Sequence, residues 1–197
     1  MKKQIFITTF LICLLTQKSF AYSSDPKQFI TEIVEQAKKI LIESNTKNFK
    51  TQKLSEVALK TVDIKGVGNY SLGKYRKNLS EAQLDKYFIL FEKYFLKSFT
   101  SRLTDYSDPK INVLSADVLD SKYTIVKSVL LATDKKPEVK IEWRVYTKNP
   151  DKPLIRDLII EGLSLARTQR EEFTSVIDSN DGDINKLFDT LKEFIAK

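Results

Sequence analysis

The chain has no histidine in 197 residues, one cysteine, one tryptophan, five glycines and five prolines. Each shortage excludes something. Without an imidazole there is no Ser-His-Asp or Cys-His nucleophile and no His-ligated zinc. With Cys13 alone there is no intramolecular disulfide. Scarce Gly and Pro, beside 42% apolar residues, exclude fibrous and disordered chains. The length fits one domain, or one domain with a targeting segment.

What is present begins with a leader. Lys2 and Lys3 form a short positive stretch, and Ile5 to Leu15 is apolar apart from Thr8 and Thr9. Ser19-Phe20-Ala21 then places small residues at −3 and −1 of a cut after Ala21, the layout of a secretory signal peptide. The run is short of the about 20 apolar residues that span a bilayer. Cys13 follows bulky Ile12, which argues against a lipidated cysteine. We therefore expect a leader at 1–21 and a single domain at 22–197. Removing the leader takes Lys2, Lys3, Lys18 and Cys13 and no acid, so the formal charge falls from +7 to +4. The exported chain then has neither Cys nor His and must be held by its core alone. Basic and acidic residues alternate without a dense basic block, so no nucleic-acid partner is expected.

Periodicity predicts helices, then strands, then helices. Asp25-Pro26 opens a helix over about 25–43, and a second covers 47–61. The segment 63–75 contains Gly66, Gly68 and Gly73, which implies a short or irregular helix, or one packed closely on a neighbour. Ser80 and Gln83 form a capping box ahead of a helix over 80–104. From 110 the period becomes two. Ile111 and Val113 lead a first strand, and Tyr123 to Ala132 forms a second that is apolar on both faces. Val139, Ile141, Trp143 and Val145 alternate with Lys140, Glu142, Arg144 and Tyr146 in a third. In a fourth, Leu154, Leu158 and Ile160 are expected on one face, with Ile155 and Ile159 on the other. Short connections imply an antiparallel meander. Helices over 165–178 and 183–196 follow, giving an α+β domain with helices on one face of the sheet.

Three motifs invite functional readings. Gly162-Leu-Ser-Leu-Ala166 sits between a strand and a helix like a nucleophile elbow, but Ala166 breaks the pattern and Ser164 has no imidazole base. Ser164 is read instead as a strand end or helix cap. Gly66-Val-Gly68 lacks the third glycine of a dinucleotide fingerprint and follows a helix, so it reads as a close-packing element. The aromatic series Tyr87, Phe88, Phe91, Tyr94, Phe95, Phe99 faces an apolar sheet. Pattern alone does not separate a filled core there from a lined cavity.

Several segments together carry a resemblance. Asp63-Ile-Lys-Gly-Val-Gly-Asn-Tyr-Ser-Leu-Gly-Lys-Tyr75 resembles the pattern D-F-x-x-[IM]-A-R-x-x-L-G-R-Y of the MlaC, or toluene-tolerance, family of periplasmic phospholipid-binding proteins. Ser80-Glu-Ala-Gln83 matches that family's helix start. Ile160-Glu-Gly-Leu-Ser-Leu165 with Arg170 and Phe173 is similar to its I-E-G-V-S-L…R-x-x-F segment. Gly182-Asp-Ile184 and Leu187 resemble its closing element. The matches run in order over nearly all of the exported chain. Gly68, Arg76 and Gln169 depart from the family's usual residues.

The resemblance implies an NTF2-like fold, with a sheet of about four strands and helices on one face enclosing an apolar pocket. It also implies a soluble periplasmic shuttle for phospholipid. Its partners would be an outer-membrane lipoprotein–porin complex and an inner-membrane ABC transporter with a substrate-binding ring subunit, and its task maintenance of outer-membrane asymmetry. No cofactor and no catalysis are implied; phospholipid is cargo.

The physics of such a cargo is compatible with this composition. A diacyl phospholipid carries about 30 methylenes, and at about 0.8 kcal/mol each their exposure costs on the order of 20 kcal/mol. Candidate lining residues are Val67, Tyr70, Leu72, Tyr75, Phe88, Phe91 and Phe95 from the helices. From the strands and their exit come Val129, Ile141, Trp143, Val145, Leu158, Ile160 and Leu165. Lys74, Arg76, Arg144 and Arg167 are candidates for a phosphate head group or an acidic partner. Two other readings stay open: a small-ligand or scaffold protein of the same fold, and an isomerase or hydrolase using a buried carboxylate or tyrosine. The inward series Val139, Ile141, Trp143, Val145 contains no carboxylate, which disfavours the enzyme.

Overall fold

The structure, a computed structural model, describes residues 22–43, 45–134 and 136–197. The leader expected at 1–21 lies outside the described residues. Helix α1 spans Pro26–Ile42, and the Asp25 carboxylate caps it by accepting the Gln28 N–H at 2.8 Å. The 3–4 spacing buries Phe29, Ile30, Ile33, Val34, Ile40 and Leu41. Helix α2, Lys47–Thr61, is capped by Thr46 and buries Leu54, Val57 and Ala58 in one stripe.

The glycine-bearing segment is helical. Helix α3 spans Ile64–Leu72, ends at Gly73 with φ +54, and runs into a 3-10 turn at Gly73–Asn78. Gly68 marks a close approach: a Cβ there would lie 2.8 Å from Cδ1 of Phe91. Helix α4, Glu81–Leu103, starts at the capping box expected from Ser80 and Gln83. Helices α5, Leu165–Asp178, and α6, Ile184–Ala196, close the chain.

Strands β1 (Ile111–Val118), β2 (Tyr123–Leu130), β3 (Val139–Tyr146), β4 (Leu154–Ile160) and β5 (Leu163–Ser164) form one antiparallel sheet in chain order. The four expected strands are there. The two-residue β5 is added by a tight turn whose residues, Glu161 and Gly162, both have positive φ. Register places Val126 opposite Trp143, Ser128 opposite Ile141, Trp143 opposite Leu158 and Ile141 opposite Ile160. These side chains share the inner face. A bulge then corrects the expected pattern of β4. The pairing shifts between Arg144 and Val145, Arg156 is left over, and Ile155 pairs with Val145. Ile155 therefore lies on the same face as Leu158 and Ile160, not opposite them, because an extra residue restarts the two-residue alternation.

Two hydrophobic cores result. The helical core gathers α3, α4, α5 and α6 around Tyr87, Phe91, Phe173 and Phe188. Tyr87 stacks on Phe91 with centroids 5.5 Å apart and donates its hydroxyl to the Gly68 carbonyl at 3.0 Å. Burial pushes this phenol far above its ordinary pKa. The sheet core joins α1 and α2 to Val126, Val145 and Ile155. Val62 packs against both cores.

Gly68→Ala tests the tightness of the first core. Alanine gains about 1 kcal/mol of helix propensity, but its Cβ meets a fully buried ring. We expect a net destabilisation of about 1–2 kcal/mol in denaturant unfolding, from overpacking. A variant as stable as the parent would show that the Phe91 ring yields freely.

Candidate functional site

The inner face of the sheet carries an apolar strip that runs on beyond the sheet core. Along β3 the inner face passes from Val145, fully buried, to Trp143 and Ile141, both half-buried. Along β4 it passes from buried Ile155 to half-buried Leu158 and Ile160. It continues through the tight turn to Leu163, which pairs with Ile160 and is 60% exposed. The sheet thus opens from its Val126–Val145–Ile155 end towards its Ile141–Ile160–Leu163 end.

Helix α4 differs from the strands in what it chiefly packs on. Its main packings are with α6, α3 and α2, whereas the strands pack chiefly on α1, α3 and α5. Phe95, Phe99 and Leu103 follow at four-residue steps on one face of α4. Phe95 packs on the helical core and Leu103 on the sheet core. That face of α4 therefore spans the distance between the cores. Phe95 and Phe99 stack at 5.9 Å with an interplanar angle of 8°. Half-buried Ile141, Leu158, Ile160, Leu165 and Phe99 pack against neither core. The polar groups of the inner face are satisfied locally. Trp143 Nε1–H donates to Ser128 Oγ at 2.9 Å, and Ser128 Oγ–H donates to the Ile141 carbonyl at 3.2 Å. The rest of this stretch of the inner face is apolar.

The candidate lining residues divide accordingly. Ile141, Trp143, Leu158 and Ile160 share the inner face of the sheet, where Trp143 packs on the sheet core; Phe95 packs on the helical core. Val67, Leu72 and Phe91 are buried in the helical core, with Phe88 and Tyr75 packed on it. Val145 is fully buried in the sheet core. Tyr70 is exposed, with the Arg170 guanidinium 5.2 Å over its ring. Val129 pairs with Lys140 on the outer face, because the one-residue offset from Ser128 turns it away. Leu163 and Phe99 were not among the candidates. Leu163 needs the register carried through the Glu161–Gly162 turn; Phe99 already stood in the aromatic series.

The four candidate cations do not converge. Lys74 pairs with Asp178 at 3.1 Å and Arg167 with Glu171 at 2.9 Å. Arg167 and Asp178 are eleven residues apart on α5, about 16 Å along its axis. Arg76 is exposed on the 3-10 turn, and Arg144 lies on the outer face 3.8 Å from Asp157.

Asp157 is a carboxylate only 6% exposed that the strand pattern did not single out. It accepts the Ser164 hydroxyl at 2.6 Å and the Ala166 N–H at 3.0 Å. Ser164 Oγ in turn accepts the Arg167 N–H at 3.0 Å, capping α5 as expected. Both groups are engaged in starting a helix, on the sheet face away from the strip. Among the described residues no group of three or more metal-ligating side chains is present. Two open clefts lie elsewhere. One, about 320 Å³ between α1 and α2, is rimmed by Lys39, Glu43, Lys53 and Glu56. The other, about 390 Å³ between α3 and α4, has Phe88, Ile89 and Phe91 beside Asp85 and Glu92.

The Tyr75 hydroxyl donates to Asp178, and this bond, with Lys74 beside it, holds the Asp178 carboxyl below its usual pKa. A depressed carboxylate pKa contributes stability above the ordinary value and loses it as pH falls through the folded one. An NMR titration of Asp178 should show a midpoint below the carboxylate range, moving up in Tyr75→Phe. An unchanged midpoint in that variant would assign the shift to Lys74 alone.

Comparison with known proteins agrees with this architecture. A solved structure of a phospholipid-binding protein from Ralstonia solanacearum, determined in complex with a phospholipid, shares the NTF2-like fold with a TM-score of 0.72. The two are 18% identical, and the match covers 88% of this chain and 97% of that one. The family model described as MlaC protein matches residues 27–193. That match spans most of the sequence, and the chain belongs to the MlaC family.

Proposed function

We propose that this chain is a phospholipid carrier that takes acyl chains into a groove between its two cores. The observation that carries this reading is the strip Ile141, Leu158, Ile160, Leu165 and Phe99, half-buried, apolar and packed in neither core. Apolar surface left open in this way costs about 25 cal/mol per Å² relative to burial. A hydrocarbon ligand removes that cost, and water does not. Family membership and the phospholipid held by the Ralstonia protein support the choice of cargo.

The carrier works in the periplasm after its leader is cut behind Ala21. The first residue of the cut chain, Tyr22, is already docked on α1: its ring meets Phe29 edge-on at 5.8 Å and its hydroxyl donates to Gln36. Among the described residues no helix is long and apolar enough to cross a membrane. The carrier exchanges phospholipid with an outer-membrane lipoprotein–porin complex and an inner-membrane ABC transporter, and so helps maintain lipid asymmetry. It does this without catalysis or a cofactor. Ser164 and Asp157, the pair most like a catalytic constellation, are committed to the start of α5.

Protein purified without detergent and extracted with organic solvent should yield stoichiometric phospholipid by mass spectrometry; its absence would sink the carrier reading. Ile141→Asp should fold and lose at least about tenfold of the copurifying lipid, since a buried unpaired carboxylate costs far more beside hydrocarbon than beside water. Phe91→Asp is not an equivalent test, because Phe91 lies inside the helical core and its loss reports folding. N-terminal sequencing of the exported protein should begin at Tyr22.

A further inference from the structure

The two open clefts differ in how their charges are matched. In the cleft between α1 and α2, Lys53 pairs with Glu56 at 2.9 Å, and its ammonium lies 5.9 Å over the Phe49 ring. Acid, base and aromatic face answer one another there. In the cleft of about 390 Å³ between α3 and α4 the acids have no such answer. Asp85 and Glu92 take part in no hydrogen bond and no ion pair among the described residues. Asp85, Phe88, Ile89 and Glu92 follow at three- and four-residue steps and share one face of α4. The two acids stand two turns apart, about 10.5 Å along the axis. That separation is too wide for one metal ion, which needs its oxygens within about 2.6 Å. Between the acids lie half-buried Phe88 and exposed Ile89, with Ile64 of α3 across the cleft. The Phe88 ring already holds a cation: the Lys65 ammonium, in the same cleft, stands 5.3 Å from its centroid.

We infer that this cleft binds a linear diammonium ion of the polyamine class. One ammonium meets Asp85, the other meets Glu92, and the methylenes between them lie over Phe88 and Ile89. Such a ligand matches the cleft in three ways. Its charges oppose those of the two unpartnered acids. Its charges are held apart by a chain, as the acids are held apart by two helical turns. Its middle is apolar, so contact with Phe88 and Ile89 takes hydrocarbon out of water. Lys65 is then an internal competitor, because it holds the ring face and repels an incoming cation. Each exposed carboxylate attracts only weakly. Selectivity therefore comes from joining two weak contacts through a chain that spans them, and affinity is on the order of 1 mM. This site lies apart from the apolar strip of the sheet and does not depend on the carrier reading.

The probe is 1,8-diaminooctane, compared with the shorter 1,4-diaminobutane and with magnesium ion. Each is titrated into isotope-labelled protein at constant ionic strength and followed by NMR. Saturable shift changes should centre on α3 and the first half of α4. The longer diamine should bind at least about fivefold tighter than the shorter, because a chain that cannot reach the second acid gains nothing from it. Asp85→Asn and Glu92→Gln should each abolish that preference for length. Both residues are exposed, so these variants test the site without disturbing the core. Phe88→Leu keeps an apolar side chain and should weaken binding about fivefold through loss of the ring face. Lys65→Met should tighten binding about threefold by removing the competitor. Equal affinity for the two diamines overturns the site, and so does magnesium binding as tightly as the longer one; either result leaves a plain acidic surface. Absence of saturable shifts overturns it as well, as does a preference for length that survives in both carboxylate variants.

Discussion

One extra residue in β4 governs the relation between the halves of this molecule. Without Arg156 in the bulge, Ile155 would turn to the outer face and leave Val145 and Val126 without their partner in the sheet core. The same residue carries the guanidinium that meets the carboxylate capping α3. Core layer, helix start and interlayer attachment therefore depend on a single break in alternation. Bulges next to functional sites commonly re-aim side chains in this way, and here the re-aimed group is the tether between two packed bodies.

The division into two cores fits the proposed carrier role. If cargo occupies the space that core side chains would otherwise fill, each half must be stable with that space empty. The helical half answers with aromatic packing: Tyr87, Phe91 and Phe173 meet in stacked and edge-on pairs, which add about 0.5–1.5 kcal/mol each beyond area burial. Gly68 lets α3 approach this cluster without a side chain in the way. The sheet half answers with aliphatic residues of α1 and α2 sealed over Val126, Val145 and Ile155. Neither core draws on Ile141, Leu158, Ile160, Leu165 or Phe99.

Much of this was legible in the sequence, for identifiable reasons. Asp25 with Pro26, and Ser80 with Gln83, announce helix starts because a cap is a local bond between residues close in the chain. The alternation of β3 announces a half-buried strand because one face is consistently polar. Failures came where the deciding contact is remote or the local signal is ambiguous. The second strand is apolar on both faces, so the side on which Val129 lies is fixed only by pairing with β3. The face of Ile155 depends on a bulge that leaves no mark in alternation. The depth at which Val67, Leu72 and Phe91 are buried depends on helices far along the chain. The partners of the cations are similarly remote, as Lys74 and Asp178 show. Ile141, Trp143, Leu158 and Ile160 share the inner face as expected, because there strand periodicity and inter-strand register agree.

The order in which the chain supplies its two cores has a consequence for how the protein must be made. The sheet core draws on residues 29–57 and then 126–155, and the helical core on 64–91 and then 166–191. The segments interleave, so neither half can be cut out as a continuous piece. The helical core cannot close until Leu191, near the end of the chain, has arrived. The two cores are distinct in space, but they cannot mature one after the other, and a chain truncated before α6 would also leave α3 and α4, made long before it, without a closed core.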